Sequence, residues 1–108
     1  MVKVNIKPLS VNKAWQGKRF KTKEYSNYEK ECLLLLPAMK VSCEACLKIE
    51  LLLYFSNKSS DIDNPVKLIL DILQKKYGFN DSQIWILFVT KIIVTKGKEC
   101  FEFRITEI

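Results

Sequence analysis

The stretch NPVKLILDILQKKYG, residues 64–78, decides the fold. Asn64 before Pro65 reads as a helix start. The Asn side chain can accept from free backbone amides, and proline at the first helical position gives up no needed hydrogen bond. Val66, Ile69, Leu70, Leu73 and Tyr77 then recur at helical spacing, and Gly78 is suited to end the helix. A helix is therefore expected over about 65–77. Cys46 to Phe55 before it and Ile84 to Thr95 after it are rich in Leu, Ile, Val and aromatic residues, as strands are.

Working outward, Val2 to Ile6 alternates apolar and polar residues and predicts a strand, whereas Pro8 to Lys21, with Gly17, predicts a loop. Thr22 is a candidate N-cap for a first helix that ends near Pro37, with Tyr25, Tyr28, Cys32, Leu35 and Leu36 on one face. Ser56 to Ser60 is a polar loop. Ile84–Thr95 and Glu99–Thr106, joined by Lys96-Gly97-Lys98, predict a closing β-hairpin. The expected order is β-α-β-α-β-β. No repeat or linker divides the chain, so residues 1–108 are expected to form one small α+β (mixed α/β) domain with a mixed sheet and two helices.

At 108 residues such a domain buries only about two-thirds of the surface its unfolded chain exposes. The formal charge is +6, and residues 1–31 hold eight cations against three anions. A basic N-terminal region suits a polyanionic partner or, equally, a solubilising surface. Its most exposed segment is the loop that holds Lys13, Lys18, Arg19 and Lys21. The opening lacks the apolar core of a signal peptide, and no apolar run approaches the length of a membrane span, so a cytoplasmic protein is expected. Cys43 and Cys46 have a two-residue gap, but there is no second such pair and no histidine. Reduced thiols are expected rather than a zinc or redox centre.

In Asp61-Ile62-Asp63-Asn64 an extended backbone sends both carboxylates to one side. Two close carboxylates repel each other and call for a shared proton or a cation. Asp81 stands beyond the second helix, before the next strand, and only tertiary packing can bring it to the pair. Three carboxylates without histidine suit Mg²⁺ or Mn²⁺, and Lys67, four residues after Asp63, can face the same place. The plainer alternative is that these aspartates are loop and pre-helix residues and that Lys67 pairs with Asp71.

The ordered set Asp61-Ile62-Asp63-Asn64-Pro65-Val66-Lys67, Phe79-Asn80-Asp81-Ser82-Gln83-Ile84 and Val94-Thr95-Lys96-Gly97 resembles the RusA family of Holliday junction resolvases. Pro8 to Lys13 and Gly17 to Thr22 look like that family's entry loop. The resemblance implies that Asp61, Asp63 and Asp81 bind a catalytic Mg²⁺ (Mn²⁺ as a substitute) and that Lys67 assists at the phosphate. It also implies a homodimer that acts on four-way junctions and other branched DNA in recombination and repair. Asn12, Lys13, Lys18, Arg19, Lys21 and Lys58 are the expected DNA contacts. Here the loop before Asp61 offers only Lys58, where some family members carry several arginines. Leu33 to Leu36 and the closing hairpin are candidate dimer surfaces. The rival reading is a non-catalytic protein that binds branched or single-stranded DNA, which would not need the aspartates.

Overall fold

Leu47–Phe55 alternates residue by residue between buried and half-exposed side chains, the period of two that places successive side chains on opposite faces of a sheet. In a computed structural model, which describes residues 1–9, 15–16 and 20–108, this segment is an interior strand. The elements in chain order are β1 (Val2–Val4), β2 (Trp15–Gln16), β3 (Phe20–Lys21), α1 (Lys23–Leu35), β4 (Leu47–Phe55), α2 (Val66–Tyr77), a 3₁₀ turn (Asp81–Gln83), β5 (Ile84–Ile93) and β6 (Cys100–Glu107). Among the described residues the main sheet runs β1-β6-β4-β5, and β2 and β3 form a separate short ladder within the segment expected to be loop. The fold is the expected α+β domain with two helices and a mixed sheet.

The closing hairpin is not formed. β5 pairs with β4 in parallel, from Leu47 beside Ile84 to Phe55 beside Ile93, and β6 pairs antiparallel with the other edge of β4. Residues 94–99 therefore pass over the end of β4. The Val94 amide donates to the Phe55 carbonyl at 2.8 Å, and the Ser56 hydroxyl donates to Glu99 at 2.8 Å. Six residues reach about 20 Å when extended, twice the distance needed to step across one strand. Placing β5 and β6 on opposite edges of β4 satisfies the backbone of an apolar strand on both sides, which a hairpin would not.

The buried residues of β4 (Leu47, Ile49, Leu51, Leu53 and Phe55) join those of both helices in one core. Thr22 caps α1, accepting from the Tyr25 amide at 3.1 Å. Tyr25, Tyr28 and Cys32 are buried as expected; Leu35 is half exposed and Leu36, just past the helix, is buried instead. In α2 the buried face is Leu68, Ile69, Ile72, Leu73 and Tyr77, turned from the expected stripe so that Val66 and Leu70 are only partly covered. Gly78 ends α2 in the left-handed conformation at φ 75°, which a glycine adopts without strain. All four cysteines are free, and burial pushes the Cys32 thiol up to about 12, so it stays protonated and inert at neutral pH. No helix among the described residues is long and apolar enough to cross a membrane.

Glu29 links three elements, accepting from Lys75 of α2 at 2.8 Å and from Lys21 of β3 at 3.0 Å. Partial burial alone would raise its pKa, but the hydrogen bonds from Lys75 and Lys21 outweigh this and hold it below the usual carboxylate range. A depressed folded-state pKa adds stability above the unfolded value and loses it as pH falls through the folded one. Glu29→Gln should therefore cost about 0.5–1 kcal/mol at pH 7, since both lysines are solvent-screened. In urea titrations that difference should shrink as pH falls through the depressed folded-state value and vanish below it.

Candidate active site

Asp61 and Asp63 follow the end of β4 on a loop held by its own polar groups. The Asn57 side chain accepts from the Ser59 amide at 2.9 Å and hydroxyl at 2.7 Å, and the Ser60 amide donates to the Asn57 carbonyl at 3.1 Å. Lys91 of β5 reaches across to donate to the carbonyls of Lys58 at 2.6 Å and Ser60 at 2.5 Å, with its ammonium 5.9 Å from the Phe55 ring centre. Asn64 does not cap α2 as expected. Its side-chain amide donates to the Asp61 carboxylate at 3.0 Å, and the helix begins at Val66, whose amide donates to the Asp63 carbonyl at 3.1 Å.

Asp81 opens the 3₁₀ turn before β5. Asn80 and Gln83 bracket it in a reciprocal cap: the Ser82 amide donates to the Asn80 side chain, and the Asn80 amide donates to the Gln83 side chain, both at 2.9 Å. The Gln83 amide group then donates to the carbonyls of Ser42 and Ala45 at 2.9 Å each, tying this turn to the segment before β4. The carboxylate is exposed while its backbone is firmly placed.

The parallel pairing fixes how far apart these groups lie. Asp61 and Asp63 belong to the end where Phe55 meets Ile93; Asp81 belongs to the end where Leu47 meets Ile84. The twelve residues of α2 between them rise about 18 Å. A groove of about 420 Å³ runs between α2 and β5, lined by Asp63, Lys67, Asp71, Gln74, Asp81 and apolar residues including Leu87 and Val89. Asp63 and Asp81 thus share a groove but stand toward its opposite ends. Asp61 faces a neighbouring cavity with Lys7, Glu24, Glu31 and Asn64. Among the described residues no three His, Cys, Asp or Glu side chains come close enough to hold a metal ion. The convergence of all three aspartates expected from sequence is not found within one chain.

Lys67 lies 3.7 Å from Asp71, the i,i+4 contact anticipated as the plainer reading, and remains largely exposed. Of the expected DNA contacts, Asn12, Lys13, Lys18 and Arg19 lie outside the described residues. Lys58 is exposed; Lys21 is exposed, ion-paired with Glu29 and 5.0 Å from the Tyr25 ring centre. Tyr25 is part of the core, as expected, and Phe20 contributes its backbone to β3. Lys91 was missed. Its signal was present: it is the one charged residue in the largely apolar run from Ile84 to Ile93.

The family model described as Endodeoxyribonuclease RusA matches residues 5–99. No curated protein matches the chain.

Lys91 generates a direct test. Lys91→Met removes charged donors from two carbonyls and should cost about 1–2 kcal/mol. It should also speed amide exchange across residues 58–64 while leaving the centre of β4 protected, as read by hydrogen exchange; Lys91→Arg should restore most of both.

Proposed function

As the chain belongs to the RusA family of endodeoxyribonucleases, whose activity is Holliday junction resolution, we propose that it cuts four-way junctions by paired symmetric nicks in recombination and repair. Family nucleases depend on a divalent metal in general, and we assign that role here to Mg²⁺, with Mn²⁺ as a substitute. The observation that carries the reading is the pair Asp61 and Asp63 on a braced loop, with Asp63 in a groove that also holds Lys67 and, toward the other end, Asp81.

The donor set suits such an ion, since Asp61, Asp63 and Asp81 are exposed and offer only hard carboxylate oxygens. When bound, the ion supplies an activated water and offsets the charge that builds on the phosphorus oxygens. The chain's own residues do the rest. Lys67, held only loosely by Asp71, is free to place its ammonium on a phosphate oxygen as charge develops. Asn64 orients the Asp61 carboxylate through its side-chain amide, and Lys91 ties the loop to β5. Lys58, Lys21 and the basic segment that holds Asn12, Lys13, Lys18 and Arg19 track the DNA backbone, which makes binding strongly salt-dependent. The protein works as a homodimer in the cytoplasm, because two symmetric cuts need two symmetric centres.

The assay is cleavage of an end-labelled mobile four-way junction by wild type and Asp63→Asn, in Mg²⁺ and in Ca²⁺ or EDTA. Paired symmetric nicks should appear only for wild type with Mg²⁺. Asp63→Asn should lose cleavage and keep junction binding, and Lys67→Ala should slow cleavage by about 10². Tight binding without nicks under every condition would leave a branched-DNA-binding protein instead.

A further inference from the structure

Cys43 and Cys46 end the segment that leads into β4, and no step of the proposed cleavage uses them. All four cysteines are free, as expected, but only this pair is within reach of solvent: Cys43 is exposed and Cys46 half-exposed, while Cys32 and Cys100 are buried. The chain bends at Cys43, Glu44 and Ala45, and the Ser42 hydroxyl accepts from the amides of Glu44 at 3.1 Å and Ala45 at 3.0 Å. The carbonyls of Ser42 and Ala45 both accept from the side-chain nitrogen of Gln83 at 2.9 Å, so they lie no further apart than twice that distance. A turn of four residues brings its end Cα atoms to within about 7 Å, and a disulfide spans Cα separations of up to about 6.8 Å. The sheet fixes the far end of this turn, since the Ile108 amide donates to the Cys46 carbonyl at 2.9 Å and Leu47 begins β4.

One side chain couples this turn to the one that carries Asp81. The Gln83 carboxamide donates to Ser42 and Ala45 through its nitrogen and accepts from the Asn80 amide through its oxygen at 2.9 Å. The group is planar, so displacing its two acceptors turns or releases it and weakens the bond to Asn80 as well. The Ala45 carbonyl lies inside the ring that a Cys43–Cys46 bridge closes, and the Ser42 carbonyl adjoins that ring. Closing the ring therefore shifts the anchor of the Asp81 turn.

We propose that Cys43 and Cys46 form a reversible exchange site for small disulfides such as oxidised glutathione, and that closing the bridge loosens the Asp81 turn through Gln83. The more exposed Cys43 sulfur, once deprotonated, attacks one sulfur of the small disulfide, which gives a mixed disulfide and releases one thiolate. The Cys46 sulfur then displaces the second thiolate and closes the bridge. The two protein thiols are oxidised by two electrons, the small disulfide is reduced to two thiols, and these take up the two protons. In a reducing compartment such bridges are transient and serve sensing, not architecture. The consequence for cleavage rests on the nuclease reading, whereas the exchange itself does not.

Reduced wild type treated with oxidised glutathione should fall from four titratable thiols to two after denaturation, with the bridge mapped to Cys43 and Cys46 by peptide mass spectrometry, and dithiothreitol should restore all four. Cys43→Ser should form no bridge. Amide exchange across residues 80–84 should speed about tenfold on oxidation, roughly the worth of one hydrogen bond, and in Gln83→Ala it should be the same in both redox forms. Junction nicking in Mg²⁺ should fall on oxidation and recover with dithiothreitol. No bridge, a mixed disulfide that Cys46 leaves unresolved, or a bridge to Cys32 or Cys100 overturns the site. A Cys43–Cys46 bridge that leaves exchange at 80–84 unchanged overturns the link through Gln83, and unchanged nicking by the loosened form overturns its consequence for cleavage. A protein that bridges and loosens but never nicks, even when reduced, supports the exchange site and counts against the nuclease reading.

Discussion

The parallel pairing of β4 with β5 is the constraint on which the rest of the molecule depends. Parallel neighbours need a crossover, and α2 is that crossover, covering the buried face of β4 with Leu68, Ile69, Ile72 and Leu73. Once the two strands run the same way, the loop that leaves β4 and the turn that enters β5 fall at opposite ends of the sheet. The same choice leaves the far side of β5 without a partner in the described chain. The geometry of the aspartates and the open edge therefore have one cause.

Local order at the two acidic segments is built by different means. The turn at Asp81 is closed by short-range bonds between Asn80, Ser82 and Gln83 and anchored through Gln83 to Ser42 and Ala45. The loop at Asp61 depends on a long-range tie, the Lys91 ammonium on the Lys58 and Ser60 carbonyls. A charged donor on two carbonyls is strong and directional. It lets a polar, serine-rich loop present two carboxylates without a longer helix or a disulfide to hold it.

Much of this was legible in the residues themselves. Thr22, Gly78 and the alternation of Leu47 to Phe55 mark their elements by local chemistry, and local chemistry is what a sequence displays most directly. The ordered motifs around Asp61, Lys67 and Asp81 were enough to indicate the family. The expected hairpin failed because Lys96-Gly97-Lys98 looks like a tight turn, while the competition for the two edges of β4 is a property of the whole sheet. The N-cap assigned to Asn64 failed because the helix begins one residue later than expected, at Val66, which puts Pro65 in the cap position. The role of Lys91 was hidden because its partners are backbone carbonyls 31 and 33 residues away. The expected meeting of the three aspartates could not be checked by spacing, since strand direction decides it.

The most direct test of the account is a crystal structure of the protein soaked with Mn²⁺, read from anomalous scattering. The account predicts a Mn²⁺ peak on the carboxylates of the braced loop, Asp61 and Asp63, beside the groove that holds Lys67. A peak held by neither Asp61 nor Asp63, or no peak at all, would contradict it.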